Sequence, residues 1–312
     1  MIYFAPVLHS VSYAGFWGQA SLTLDAFIDK AAELGFEGVM LMAKRPHASV
    51  LDLNAAGRAA LKHRLSDTAL GQHVILAGYN NFTADMEHGD IPHGEIQIDY
   101  ITSLASLAHD LGASVLRVFT GYEHPAAPYS RQWDLVVACL RECARRAADY
   151  GVTLGVQNHH DLACGFEALH DLLSAVGEPN CRALFDAWAP ALHGADLSAG
   201  ARLLGPLTVH TTVANYVRRP RYRYRPELVN YTEETPFVQA VRMSAGFIDY
   251  PRFWSEMSDG GFTGTIAYEM CSPLLEGSST AVLDAHAREF LAMARAFREA
   301  RTPALSGAGQ RA

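Results

Sequence analysis

Short apolar, β-branched runs alternate along this chain with longer stretches whose apolar residues recur at helical spacing. The short runs are "IYFAPVLHS", "GVMLM", "HVILAG", "SVLRVFTG", "VTLGVQN", "CRALFD", "PLTVHTT" and "GTIAYEM", eight in all. Each predicts a strand. The amphipathic stretches between them predict helices over 24–34, 54–68, 95–111, 133–150, 166–176, 250–258 and 281–300, with a weaker one over 197–204. A glycine at the helix-to-strand junction recurs in "ELGFEGV", "DLGASVL", "DYGVTLG" and "DGGFTGT", as expected where helices stop before a buried strand. Eight strands alternating with about eight helices over about 250 residues predict a single-domain α/β fold, the (β/α)8 TIM barrel, over residues 1–300. An open doubly wound sheet is the alternative. No G-x-G-x-x-G follows the first strand, so a dinucleotide site of that kind is unsupported. A long irregular insertion after the seventh strand, 214–248, includes the basic cluster "YVRRPRYRYRP", which reads as a loop. Residues 301–312 read as a disordered tail.

Composition narrows the class. Of 312 residues, 49% are hydrophobic and 19% charged, which is a globular profile. The net charge of −8 and the lack of a long basic run give no support for a nucleic-acid partner. No apolar run approaches the length of a membrane helix, and no signal peptide is visible. Five scattered cysteines, an odd number without C-x-x-C spacing, fit reduced thiols in a cytoplasmic protein.

Barrel chemistry sits at the C-terminal ends of the strands. There the fifth strand presents Gln157 and His159, two apart and so on one side. The sixth ends in Asp186, the seventh carries His210 and the eighth ends in Glu269. An oxygen-rich set with one imidazole predicts a single divalent metal, Mn²⁺ first, with Mg²⁺, Co²⁺, Fe²⁺ or Zn²⁺ as alternatives. Taken singly, such residues are more often helix caps or satisfied core side chains; their recurrence on consecutive strands carries the expectation. Further strand ends offer His9, the "AKRPHAS" group with Lys44, Arg45 and His47, and Trp188 as substrate contacts. Arg117, inside the fourth strand, is expected to contact substrate or to neutralise interior carboxylates.

Through "AAELGFEGVML", "LGVQNHHD", "ALFDAW", "LTVHTT" and "GGFTGTIAYE", the sequence resembles the xylose-isomerase-like TIM barrels, the sugar phosphate isomerase/epimerase superfamily. The resemblance runs from Ile2 to about Ala300. It implies one divalent metal held by Glu, Asp, His and Glu, positions that fall on Gln157, Asp186, His210 and Glu269. Gln157 departs from that pattern. A neutral amide cannot act as a base, although its carbonyl oxygen can ligate. His159 or His160 is then expected as general base beside Glu269, while Asn158 reads as a turn former.

The resemblance implies a carbohydrate substrate and proton abstraction next to a carbonyl, with an enediolate to stabilise. One base suits elimination. The C-glycoside deglycosidase catalytic subunits, lyases that expel an aglycone from a 3-oxo-glycoside, are the branch favoured by the loss of a carboxylate at 157. A sugar isomerase or epimerase acting on a free keto-sugar is the first alternative and a catalytically silent sugar-binding barrel the second. An endonuclease IV-like activity fits the acidic charge poorly, and a metal-water hydrolase is a minor option. The same branch implies a homo-oligomer, or a hetero-oligomer with a small second subunit.

Overall fold

The computed structural model describes residues 4–86, 90–159, 162–270 and 272–307. Seven parallel strands come first: β1 (Ala5–His9), β2 (Gly38–Met42), β3 (His73–Ala77), β4 (Val115–Val118), β5 (Thr153–Gln157), β6 (Cys181–Leu184) and β7 (Thr208–Val213). A hairpin of β8 (Asn215–Arg225) and β9 (Asn230–Val241) follows, and then β10 (Thr265–Tyr268). The barrel closes in the order β1-β10-β7-β6-β5-β4-β3-β2, with β8 and β9 outside it. The eight predicted strands are therefore the eight barrel strands.

Helices α1 (Leu24–Leu34), α2 (Ala55–Ser66), α3 (His93–Leu111), α4 (Tyr129–Ala148), α5 (Phe166–Val176), α6 (Trp188–Leu192), α7 (Leu197–Leu204), α8 (Tyr250–Asp259) and α9 (Thr280–Gly307) lie between and after the strands. Their ends follow from the sequence. In α1 the Thr23 side chain accepts from the Ala26 N–H, and Gly35 stops the helix at φ 85°, which a side chain would resist. Among the described residues no helix is long and apolar enough to cross a membrane.

Alternation along the strands sorts the side chains into two cores. Outward residues such as Leu8, Val39, Leu76, Leu116, Leu154 and Ile266 pack under the helices. Inward residues Val7, Met40, Ile75, Ala77, Leu184 and Ala267 form a small apolar plug inside the barrel. Polar groups stand on this plug, at the C-terminal ends of the strands, so the plug fixes the depth of the candidate site.

Three details differ from expectation. The basic cluster is strand rather than loop, with a register shift between Arg219 and Arg221 at Pro220, which has no N–H to give to the ladder. Its alternating apolar signal is missing because most of its residues are exposed on both faces. The one-turn α6 follows Asp186 directly and is too short to show a helical period. Finally, α9 runs on through Gly307, into the stretch expected to be disordered; residues 308–312 lie outside the described residues.

Candidate active site

Asp186 is the centre of the polar cluster. It follows β6, is fully buried, and its backbone is pinned by Asn158. The Asn158 Oδ1 accepts the Asp186 N–H at 2.6 Å, and its Nδ2 donates to the Asp186 carbonyl at 3.0 Å. Asn158 is thus a clamp between the ends of two strands, not only a turn former. The Asp186 carboxylate accepts from the Thr212 N–H at 2.6 Å, the Thr211 hydroxyl at 3.2 Å and the Trp188 indole N–H at 3.3 Å. It also accepts from the Gln157 Nε2 and the Thr212 hydroxyl. Five donors occupy a carboxylate with about four lone-pair sites. Burial raises the Asp186 carboxyl to about 6, against the pull of the Thr212, Gln157 and Thr211 hydrogen bonds.

Gln157 ends β5 and is fully buried. Its two amide ends have fixed partners. The Oε1 accepts from Arg117 Nη1 at 2.7 Å, while the Nε2 faces Asp186 and the Thr212 hydroxyl, the latter at 3.1 Å. Turning the amide over would set its NH₂ against the guanidinium, donor against donor, so Arg117 fixes the orientation.

Arg117, on β4, is 1% exposed. Its guanidinium carbon lies 4.1 Å from the Phe119 ring centre and 4.7 Å from that of Tyr79, and these aromatic faces partly replace lost hydration. Its Nε and Nη2 have no hydrogen-bond partner among the described residues. Lys44 Nζ lies over the same Tyr79 ring at 3.9 Å and over Phe16 at 4.6 Å. Burial and then Arg117 lower the Lys44 pKa.

Glu269 follows β10 and is buried. Burial raises its carboxyl to about 7. Arg117 opposes that rise and the Asp186 charge adds to it. A carboxyl poised near neutrality can hold or release a proton at working pH.

His210 stands one step deeper. In the strand register it is level with Leu184 and Thr265, and its Nδ1 is 2.6 Å from the Thr265 hydroxyl. Thr212, two residues on, and its neighbour Thr211 are the β7 side chains that reach Asp186. The His210 Nε2 is buried without a partner among the described residues, and burial followed by Arg117 pushes its pKa down to about 3, so the ring is neutral. His9, fully buried, accepts the Val11 N–H at Nδ1, and burial and then Arg117 hold it well below the usual histidine range. His159 sits edge-on between Phe119 and Trp188, with ring centres 5.0 and 4.8 Å away. His160 lies outside the described residues.

Two predicted substrate contacts are engaged elsewhere. Arg45 is exposed and grips Asp52 through Nε and Nη2, with distances of 2.5 to 3.1 Å. His47 is buried, with Nε2 3.1 Å from the Leu22 carbonyl and its ring stacked on Phe27. Arg45 braces the loop after β2, and His47 ties that loop to the segment at the start of α1. Sequence reasoning missed Thr212, Tyr79 and Phe119. Thr212 was accessible, because period-2 spacing from His210 puts it on the same inward face one layer nearer the mouth. Tyr79 and Phe119 could be found only once Arg117 was known to need cover.

A divalent ion in this cluster would need lone pairs, and the donor set does not fit one. Gln157 turns donors toward Asp186, the Asp186 carboxylate is filled by protein N–H and O–H groups, and a guanidinium already supplies one positive charge beside the two carboxyls. Among the described residues no three His, Cys, Asp or Glu side chains converge as a metal ligand set.

Against known proteins, residues 28–293 match the model of the xylose isomerase-like TIM barrel family. Over 183 residues the chain is 24% identical to fructoselysine 3-epimerase of Escherichia coli O157:H7, a stretch that spans 55% of this chain and 64% of that relative. The fold matches the structure of an L-ribulose 3-epimerase with a TM-score of 0.72 at 16% identity, covering 98% of each chain. It also matches a xylose isomerase-like TIM barrel protein from Mycobacterium smegmatis in complex with magnesium, with a TM-score of 0.65 at 13% identity over 96% of this chain and 98% of that one. At such identities the structural matches speak for the fold. With the family model covering most of its length, the chain belongs to the xylose isomerase-like TIM barrel family.

Proposed function

We propose that this protein is a carbohydrate isomerase or epimerase that moves a proton on the carbon beside the carbonyl of a keto-sugar. The observation that carries the reading is Glu269, a buried carboxyl at a barrel strand end whose charge is coupled to the buried Arg117 guanidinium and to Asp186. The epimerase names of its relatives support the substrate class. In this reading Glu269 takes the proton. Asp186, held by its five donors, is an anchor that keeps Thr212 and Gln157 in place. His159, between Phe119 and Trp188, returns a proton from the other side and makes the site two-based, as epimerisation requires. The aromatic groups Tyr79, Phe119 and Trp188 wall the sugar, and Lys44 and His9 reach its oxygens.

Elimination from a 3-oxo-glycoside remains the second reading, favoured by the single observation that Gln157 is not a base. One experiment separates the two. The protein is incubated in D₂O with ketopentoses, ketohexoses, a fructosamine and a 3-oxo-glycoside, and followed by NMR. Deuterium entering a sugar carbon next to the carbonyl, abolished in Glu269→Gln, is the expected result. Release of an aglycone without deuterated sugar would favour the lyase. Neither, in the presence of measurable sugar binding, would leave a silent sugar-binding barrel and overturn the proposal.

We also propose that the chain acts as a homo-oligomer through the β8–β9 hairpin. It carries five arginines against three glutamates in a chain of net charge −8, so it complements the acidic remainder of a second copy. A lone two-stranded ribbon is marginal in water.

A further inference from the structure

We infer that in this chain the Arg117 guanidinium takes the charge-stabilising role expected of a divalent metal, so that the barrel holds no metal at Gln157, Asp186 and Glu269. Three observations lead there. First, the residue at the end of β5 has lost its negative charge, and its amide is locked with the nitrogen toward Asp186 by the Arg117 hydrogen bond at 2.7 Å. Second, the Asp186 lone pairs are taken by Thr211, Thr212, Gln157 and Trp188, so a cation would have to displace these donors. Third, a permanent positive charge is already buried there, cradled by Phe119 and Tyr79. A guanidinium cannot be deprotonated away in a protein. A second, divalent cation beside it would meet like-charge repulsion in a medium that screens poorly.

The buried charge of Arg117 then has a use, which rests on the keto-sugar reading above. When the Glu269 carboxylate removes the proton beside the carbonyl, the C–H electron pair becomes a C=C bond. The carbonyl π pair moves onto oxygen, and the buried Arg117 charge stabilises the negative charge that develops there. Reprotonation of carbon reverses the flow, and no oxidant or reductant is consumed. Arg117 would therefore be a positioning residue that acts on the reaction through its charge and through Gln157.

Metal content decides the first part without any assay of turnover. The full chain is produced in medium supplemented with Mn, Co, Fe, Mg and Zn salts, desalted without chelator, and analysed for these elements. Much less than one ion per chain is expected, with no rise in melting temperature on adding Mn²⁺. One tightly held ion per chain, lost in Asp186→Asn, would overturn the inference. The double variant Arg117→Met, Gln157→Glu, which creates three carboxylates without the cation, should gain a Mn²⁺-dependent rise in melting temperature that the parent lacks. If that variant fails to fold, the wild-type metal content still decides. Once a substrate is in hand, EDTA should leave kcat/KM unchanged, whereas Arg117→Lys should lower it by about 10²-fold. Loss of activity in EDTA with recovery on Mn²⁺ would be the opposite outcome. A metal-free chain that turns over no keto-sugar would sink the proposed function and leave this inference standing. A metal-loaded epimerase would do the reverse.

Discussion

The barrel centre and the β8–β9 hairpin both depend on arginine, in opposite ways. Arg117 is buried, has one strong hydrogen bond and lies between two aromatic faces. Arg221 and Arg223 of the hairpin are exposed and share Glu234 at 3.4 and 2.8 Å. Exposed pairs of that kind contribute between nothing and about 1 kcal/mol. A buried cation has no such latitude, because removing what surrounds it leaves a charge in a poor solvent. The centre is therefore over-determined, each group fixing the next, while the hairpin is a charged surface whose meaning lies in what it meets. The two regions touch at the hairpin root. Tyr216, at the root of the hairpin, packs 6.1 Å from Trp188, whose indole donates to Asp186.

Asp186→Ala should show the contrast most strongly. It deprives the Thr212 N–H, the Gln157 amide and two threonine hydroxyls of their acceptor at buried positions. A loss of about 3–5 kcal/mol in folding stability is expected, measured by urea unfolding. A loss below about 1 kcal/mol would mean that the centre is as loosely determined as the hairpin.

Glu269→Gln should abolish proton transfer and, at pH 8, increase stability. The sign follows from the shifted carboxyls. Glu269 is raised from 4.5 to about 7 and Asp186 from 3.8 to about 6. Below the unfolded values both states are protonated. Between the unfolded and folded values the native state binds more protons, so stability falls as pH rises, and above the folded values the full penalty is present. His210 acts in the other direction. Its pKa drops from 6.5 to about 3, so the unfolded state binds the extra proton there and stability rises with pH across that window. The wild type should thus lose stability from pH 4.5 toward 7 through Glu269. In Glu269→Gln that component should vanish, with a gain of at most about 3 kcal/mol at pH 8 and little change at pH 4. Parallel wild-type and variant curves across this range would contradict the buried, poised carboxyl.

The barrel was readable because burial on both faces writes strands as apolar runs and the helices have one apolar stripe. Gln157, Asp186, Glu269 and Arg117 were readable as polar residues at the ends of such runs. Which neighbours they choose was not. Asp186 turning to Thr212 instead of His210 depends on the register between β6 and β7, where the ladder shifts at Ala183 and Leu184. A strand spacing alone does not carry that shift. The hairpin was misread for the opposite reason. Its tyrosines and arginines alternate without an apolar face, so the β preference of Tyr, Val and Thr lacked the periodic signal that normally accompanies it.

Arg221→Ala with Arg223→Ala should have the smallest effect on the single chain and isolates what the hairpin is for. Loss of two exposed, shared ion pairs should change unfolding stability at low protein concentration by less than about 1 kcal/mol. If the ribbon docks on the acidic body of a second copy, the same change should lower the sedimenting mass at physiological salt. Raising the salt should do likewise to the wild type, since exposed charges are screened over about 10 Å at 0.1 M. An unchanged mass in both cases would assign the hairpin arginines to solvent. A mass restored only by a small acidic protein co-purifying with the wild type would replace the second copy with a different partner. In either event the tie from Tyr216 through Trp188 to Asp186 predicts that turnover falls whenever the hairpin root moves. Tyr216→Ala is therefore the companion variant, expected to lower kcat with the mass unaltered.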